Sequence, residues 1–442
     1  MDWPQLLLIF FGALAVMMMS GMPVAFGFLV VNMIGVFILW GGFKGLDQLI
    51  FNTFDSISKF NFISIPMFIL MGEIMFRSGT ATNMIEAVDK WMGRLPGRLS
   101  LLAVVSGTII ATLTGAAMAS VAMLGSVLVP QMQAKGYHKS MILGPILGSA
   151  GLAIMIPPSS LAVVIGAIGE ISIGKILIAI IMPGLLMAAI MAAYIILRCL
   201  AQPKLAPASE VRSFPLKEKV RDTAYYVLPI AIVIFSVIGV MMLGIATPTE
   251  AAVTGALGTI ILAAIYKKLN YTLMKTSLYS TLKITCMIFM MIVTASTFSQ
   301  ILAFSGATVG LTQMAVGLNV PTIMVIILMQ LVVLILGCFI DIIGNLMIVL
   351  PIFMPIVNTL HIDPVWFATM LLINVTVAGI SPPFGLVLFV LRSTTSKVPG
   401  ITMGDIYRAG GIYSAIDILA LALVMIFPMI AMWLPGLMRP LA

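Results

Sequence analysis

The chain has 442 residues, of which 61% are hydrophobic and only 9% charged, and its mean hydropathy is +1.19. That composition excludes a soluble globular domain and describes a polytopic protein of the lipid bilayer. The net charge of +8 comes from basic residues gathered in short loops between apolar segments, which is membrane topology and excludes nucleic acid as a partner.

The N-terminus, MDWPQLLLIF, lacks a basic region and a small-residue cleavage pattern, so it reads as a retained first span. Apolar segments at about 5–20 and 23–40 flank the turn Ser20-Gly21-Met22-Pro23. Residues 41–60 are amphipathic and suit the membrane interface. A span at 61–77 is followed by a polar loop carrying Lys90, Arg94 and Arg98. Two apolar legs, 100–113 and 120–134, are joined by TGAAMAS from Thr114 to Ser120. Each leg is too short to cross ~30 Å at ~1.5 Å per residue, which favours a re-entrant hairpin.

The stretch 138–168 is long enough to span, yet contains Pro157-Pro158, which cannot lie in a helix interior, so a broken helix is expected. A span at 173–199, a basic loop at 202–222, and spans at 224–243 and 250–266 follow. The last third repeats the earlier order: a span to about 304, paired legs at 321–358, a broken helix at 364–392 around Pro382-Pro383, and a final span at 408–436.

Threading this order with the N-terminus outside leaves only Lys44, Lys59, Lys175 and Arg439 on the external face, as the positive-inside rule asks. The first hairpin then enters from the cytoplasm and the second from outside. Ser78-Gly79 matches Ser305-Gly306, Pro130 matches Pro355, Pro157-Pro158 matches Pro382-Pro383, and GKIL from Gly174 matches GDIY from Gly404, at offsets of 225 to 230. An odd number of crossings separates the copies, so the expected fold is all-α with two inverted-topology repeats, each holding a re-entrant hairpin and a broken helix. The expected division is 1–60 scaffold and interfacial segment, 61–200 first repeat, 201–283 basic loop, scaffold helices and interfacial segment, and 284–442 second repeat.

Inverted repeats with breaks near the midplane are the pattern of a secondary transporter, in which exposed carbonyls and small hydroxyls replace a cation's water shell. Hard oxygen ligands suit sodium. The cation candidates are Ser106, Thr114, Gly115, Ser120, Ser149, Ala150 and Gly151 in the first repeat, and Asp341, Asn345, Thr376, Val377 and Gly379 in the second. Asp341 is an ionisable group inside an apolar hairpin, hence a ligand candidate, and its position equally allows it to cap the second leg.

Half-helix N-termini after the Pro-Pro pairs, near Pro157, Ser159, Ser160, Ser381, Phe384 and Gly385, are expected to offer free amides to an organic anion. Arg392 either snorkels to the interface or reaches that anion. Glu73 is placed to pair with Arg77, Glu250 to serve the first turn after Pro248, and Asp417, His138 and His361 to hold structural or boundary roles. The cysteines Cys199, Cys286 and Cys338 lack CxxC spacing, and the 36 methionines read as packing. No HExxH, GxSxG or paired intramembrane aspartates mark an enzyme, and no cofactor is expected beyond sodium as coupling ion. A stand-alone sodium/dicarboxylate carrier is the second transport reading.

The segments SAGLAIMIPPS at 149–159, TGAAMAS at 114–120, LGCFIDIIGN at 336–345 and ISPPFGLVLFVLR at 380–392 resemble the large membrane subunit of tripartite ATP-independent periplasmic (TRAP) transporters. The resemblance implies a sodium-driven importer of an organic anion with an elevator motion, in a bacterial inner membrane. It implies two partners: a periplasmic substrate-binding protein and a small membrane subunit, the latter on a separate chain. Ala116 and Ala117 stand where family tips carry hydroxyls, so backbone carbonyls would do more in the first site.

Overall fold

The structure is a computed structural model and describes residues 3–93, 95–114, 117–207, 214–317, 320–383, 385–396 and 398–439. Every regular element in it is helical. Seven helices among the described residues are long and apolar enough to cross a membrane. An eighth span results if Lys139–Met155 and Ser160–Ile168, bent by 48° at their junction, count as one.

Helices Trp3–Met19 and Val24–Leu39 pack with the long helix Tyr271–Phe304. Phe298 of the long helix receives the rings of Phe10, Phe11 and Phe28 edge-on, at 6.4, 5.8 and 5.1 Å between centroids, the arrangement that ring quadrupoles favour. Asn32 is buried there and donates to the Thr294 carbonyl at 2.7 Å. The long helix has 34 residues, about 50 Å at ~1.5 Å per residue, so it outruns a ~30 Å hydrocarbon core. It runs unbroken through Lys283, joining the interfacial segment and the following span that the sequence separated there. The amphipathic segment is helix Phe43–Ile57, which leaves Phe43, Ile50, Phe51 and Phe54 exposed.

Similar runs of helices occur in the two parts of the chain. Helix Ser64–Arg77 turns at Gly79 (φ 71°) into Thr80–Met92, just as Tyr271–Phe304 turns at Gly306 (φ 74°) into Ala307–Gly317. Both turns need the left-handed conformation that glycine adopts without steric cost. The hairpins are Arg98–Thr114 with Ala117–Ala134, and Thr322–Gly337 with Ile342–Thr359. The broken pairs are Lys139–Met155 with Ser160–Ile168, and Pro364–Ile380 with Leu386–Thr394. Both Pro-Pro bonds at the breaks are cis. The final span differs from its expected 408–436: it ends at Ile426 and a short helix, Met429–Gly436, follows. Pro428 supplies no amide to continue the ladder.

Ion pairs mark the two ends of the molecule. At the base of the first hairpin, Arg98 pairs with Asp89 (2.5 Å), Lys90 with Glu218 (2.6 Å) and Asp222 (2.5 Å), and Lys139 with Asp405 (2.8 Å). At the other end Lys59 pairs with Glu170 at 3.0 Å, beside Asn358 and Asp363 at the base of the second hairpin. The hydrogen bonds it donates to Asp222, then Glu218, hold the Lys90 ammonium above its ordinary value. Lys90→Met is therefore expected to loosen helix Thr80–Met92 from Leu216–Asp222, read as faster amide exchange across 83–92 with the hairpin unchanged.

Glu73 and Arg77 pair at 2.6 Å as expected. Glu250 completes a capping box by accepting from the Thr247 amide at 2.8 Å.

Candidate functional site

The half-helices Lys139–Met155 and Pro364–Ile380 are buried throughout from Met141 to Met155 and from Phe367 to Ile380. They carry polar groups into this interior by turning hydroxyls onto their own carbonyls: Ser149 donates to Ile146 at 2.7 Å and Thr376 to Ile373 at 2.6 Å. The two half-helices meet at Gly151, where a Cβ would lie 3.4 Å from the Thr376 Cβ.

Each hairpin approaches its own broken helix through a glycine. A Cβ on Gly107 would fall 2.2 Å from both Cβ and Oγ of Ser149, and one on Gly337 would fall 2.5 Å from the Ala378 Cβ and 2.8 Å from Asn345 Nδ2. Side chains then tie the legs together: Ser120 donates to the Gly107 carbonyl at 3.4 Å, and Asn345 Nδ2 to the Val333 carbonyl at 2.9 Å. The sequence reading missed Gly107 and Gly337. Only the helix crossing, which is non-local, distinguishes them from other glycines in apolar segments.

The cation candidates gather around these contacts. Ser106, Ser120, Ser149, Ala150 and Gly151 are buried where the first hairpin meets its broken helix, and Asn345, Thr376, Val377 and Gly379 where the second does. The Ser106 hydroxyl and the Asn345 carbonyl oxygen are each buried with no hydrogen-bond partner among the described residues. Buried polar atoms are normally paired, so an orphan oxygen in each hairpin fits a hard cation, which takes oxygen ligands. Asp341 caps the second leg: its Oδ2 accepts from the Ile343 and Gly344 amides, both at 3.2 Å. Thr114 ends the first leg, while Gly115 lies outside the described residues.

The anion candidates are arranged differently from expectation. Ser159 caps its own half-helix, accepting from the Ala162 amide at 3.3 Å. The Gly385 amide, expected free, donates to the Ser381 carbonyl at 3.1 Å. The Ser381 hydroxyl donates to Val377 at 2.7 Å. Pro157 is buried, Ser160 is half-buried, and Phe384 lies outside the described residues. Arg392 donates to the Ile401 carbonyl at 2.7 Å, so its guanidinium pins the loop that follows Leu386–Thr394. A backbone break has to satisfy its own donors, and the Ala162 and Gly385 amides find their acceptors within their own break.

A cavity of about 690 Å³ opens at the Lys59–Glu170 end, between the long helix and the second hairpin. Lys175, Gln300 and Asn358 are among its lining residues, none of which the sequence reading picked for substrate.

Residues 11–430 match the family described as "Tripartite ATP-independent periplasmic transporter, DctM component". The chain is 30% identical over 452 residues to the C4-dicarboxylate TRAP transporter large permease protein DctM of Rhodobacter capsulatus, covering 98% of this chain and 99% of that one. It is 28% identical over 423 residues to the ectoine TRAP transporter large permease protein TeaC of Halomonas elongata, covering 95% and 97%. In fold it is similar to the crystal structure of the Alcanivorax borkumensis YdaH transporter, with a TM-score of 0.60 at 14% identity over 90% of each chain. The chain belongs to the DctM family of TRAP transporter large permease components, which are transporter subunits and not enzymes.

Proposed function

We propose that this large permease subunit imports a small organic acid by sodium symport, moving the two hairpins and broken helices as one unit against the remaining helices. The observation that carries the reading is the crossing at Gly151 and Thr376: each broken helix there has its own hairpin beside it, and each hairpin brings an orphan buried oxygen. The hairpin bases point to opposite ends, one with Lys139–Asp405 and one with Lys59–Glu170. That placement supports inverted repeats and alternating access. The more basic end is the cytoplasmic one on this reading, which sets the N-terminus in the periplasm.

C4-dicarboxylate and ectoine, named for two of the relatives, share a carboxylate group, so the substrate class is an organic acid. Lys59 and Lys175 at the outer cavity suit the approach of such an anion. A periplasmic binding protein delivers it, and a small membrane subunit on a separate chain completes the tripartite assembly.

Orientation is testable by thiol labelling in a chain whose three cysteines have been replaced. A cysteine at exposed Asn358 is expected to react with a membrane-impermeant maleimide in intact spheroplasts, and one at exposed Gln131 only in inverted vesicles. The reverse pattern contradicts the threading.

A further inference from the structure

Asp417 stands in the middle of Met403–Ile426, completely buried, and neither of its carboxylate oxygens has a hydrogen-bond partner among the described residues. It faces the crossing of the two broken helices: a Cβ placed on Gly151 would lie 3.3 Å from Asp417 Oδ2 and 3.4 Å from the Thr376 Cβ. One turn earlier, on the same face, the Ser414 hydroxyl lies 3.2 Å from that of Ser381, at the second break. The ring of Tyr413, also on this face, packs against Gly144 and Gly148 of the first broken helix. The last span thus presents a polar seam to both breaks at once.

No described cationic side chain meets this carboxylate. Lys139 is held by Asp405 at the start of the same span, and Arg392 is held by the Ile401 carbonyl. Arg198, on the packed helix Ile181–Ala201, lies against the Tyr194 ring. A leucine of similar size would fill such a dry position without desolvating a charge, so packing alone gives no reason for aspartate here. The orphan oxygens of Ser106 and Asn345 are uncharged, and Asp341 Oδ2 already accepts two amides. A sodium ion entering this interior would meet neutral oxygens and, at Asp417, a carboxyl group with no partner among the described residues.

We infer that Asp417 is a cation-binding carboxylate, the anionic partner of sodium at the crossing of the two broken helices. The inference rests on the sodium reading above and adds a residue that neither hairpin contributes. Because one carboxylate touches the meeting point of both repeats, it gives the two cation sites a shared counter-charge, so filling one alters the other.

The test is the thermal unfolding midpoint of the full chain purified in detergent, titrated with sodium chloride against choline chloride at constant ionic strength. Wild type is expected to show a saturable, sodium-specific rise. Asp417→Asn is expected to need at least tenfold more sodium for half the rise, while Asp417→Glu, which keeps the charge, retains a sodium-specific rise. An Asp417→Asn titration matching wild type overturns the assignment and leaves sodium coupling standing. A wild-type protein indifferent to sodium removes both. Should Asp417→Asn not fold, the glutamate variant decides: folded protein with no sodium-specific rise overturns the role of the charge.

Discussion

Asp341→Ala is expected to lower sodium-dependent uptake by about 100-fold or more, equivalent to roughly 2.7 kcal/mol at ~1.36 kcal/mol per decade. The alanine removes the observed cap together with the proposed cation ligand, and the two differ in size. The cap on Ile342–Thr359, built on the Ile343 and Gly344 amides, contributes about 1 kcal/mol to stability. A lost cap lowers the amount of folded protein slightly and leaves the sodium dependence of what remains unchanged. On the proposed sodium reading the charge, set in an apolar hairpin, is the part that acts on the cation. Asp341→Ser separates the two, since serine is a good N-cap without charge. Its thermal midpoint is expected near wild type and its uptake near that of the alanine variant. Uptake restored by serine would make Asp341 a cap alone.

Gly107→Val is expected to cost about 3 kcal/mol or more and to remove transport, read as loss of a monodisperse folded peak and of uptake. Its Cβ would fall 2.2 Å from Ser149 Cβ, fixed by its backbone, and Oγ, held by the Ile146 carbonyl, within the buried stretch from Met141 to Met155. Overpacking in such a place costs ~1–3 kcal/mol when neighbours can move, and here they cannot move easily. The opposing gain from removing a helical glycine is only about 1 kcal/mol, so the clash wins. Gly239, in Leu228–Met242, has nothing within 4 Å of its would-be Cβ, and Gly239→Ala is expected to be neutral or slightly stabilising. Equal tolerance at the two glycines would contradict the close approach of hairpin and broken helix.

The breaks were legible because proline chemistry is local: Pro157-Pro158 and Pro382-Pro383 stop their helices regardless of surroundings. The recurrence of Ser78-Gly79 at Ser305-Gly306 was legible for the same reason, and both glycines adopt the left-handed turn. Hydropathy placed most of the spans, although it divided Tyr271–Phe304, whose lysines at 275 and 283 mimic an interface while the helix continues past them.

What the sequence could not display is contact between distant segments. Gly107 and Ser149 are 42 positions apart, and nothing in either neighbourhood announces that they touch. Asp417 was visible as an ionisable residue in an apolar span and read as structural; that its oxygens have no partner among the described residues shows only in the structure. The Gly385 amide, expected to be free, is not, because a chain leaving a helix at a Pro-Pro pair can fold that amide back onto the Ser381 carbonyl.

Uptake of a labelled C4-dicarboxylate, ectoine or related organic acid into proteoliposomes holding this chain, its small membrane subunit and the cognate binding protein tests the account most directly. An inward sodium gradient is expected to drive accumulation that vanishes when choline replaces sodium or the binding protein is left out. Accumulation that persists without sodium, or that Asp341→Ala leaves undiminished, would contradict it.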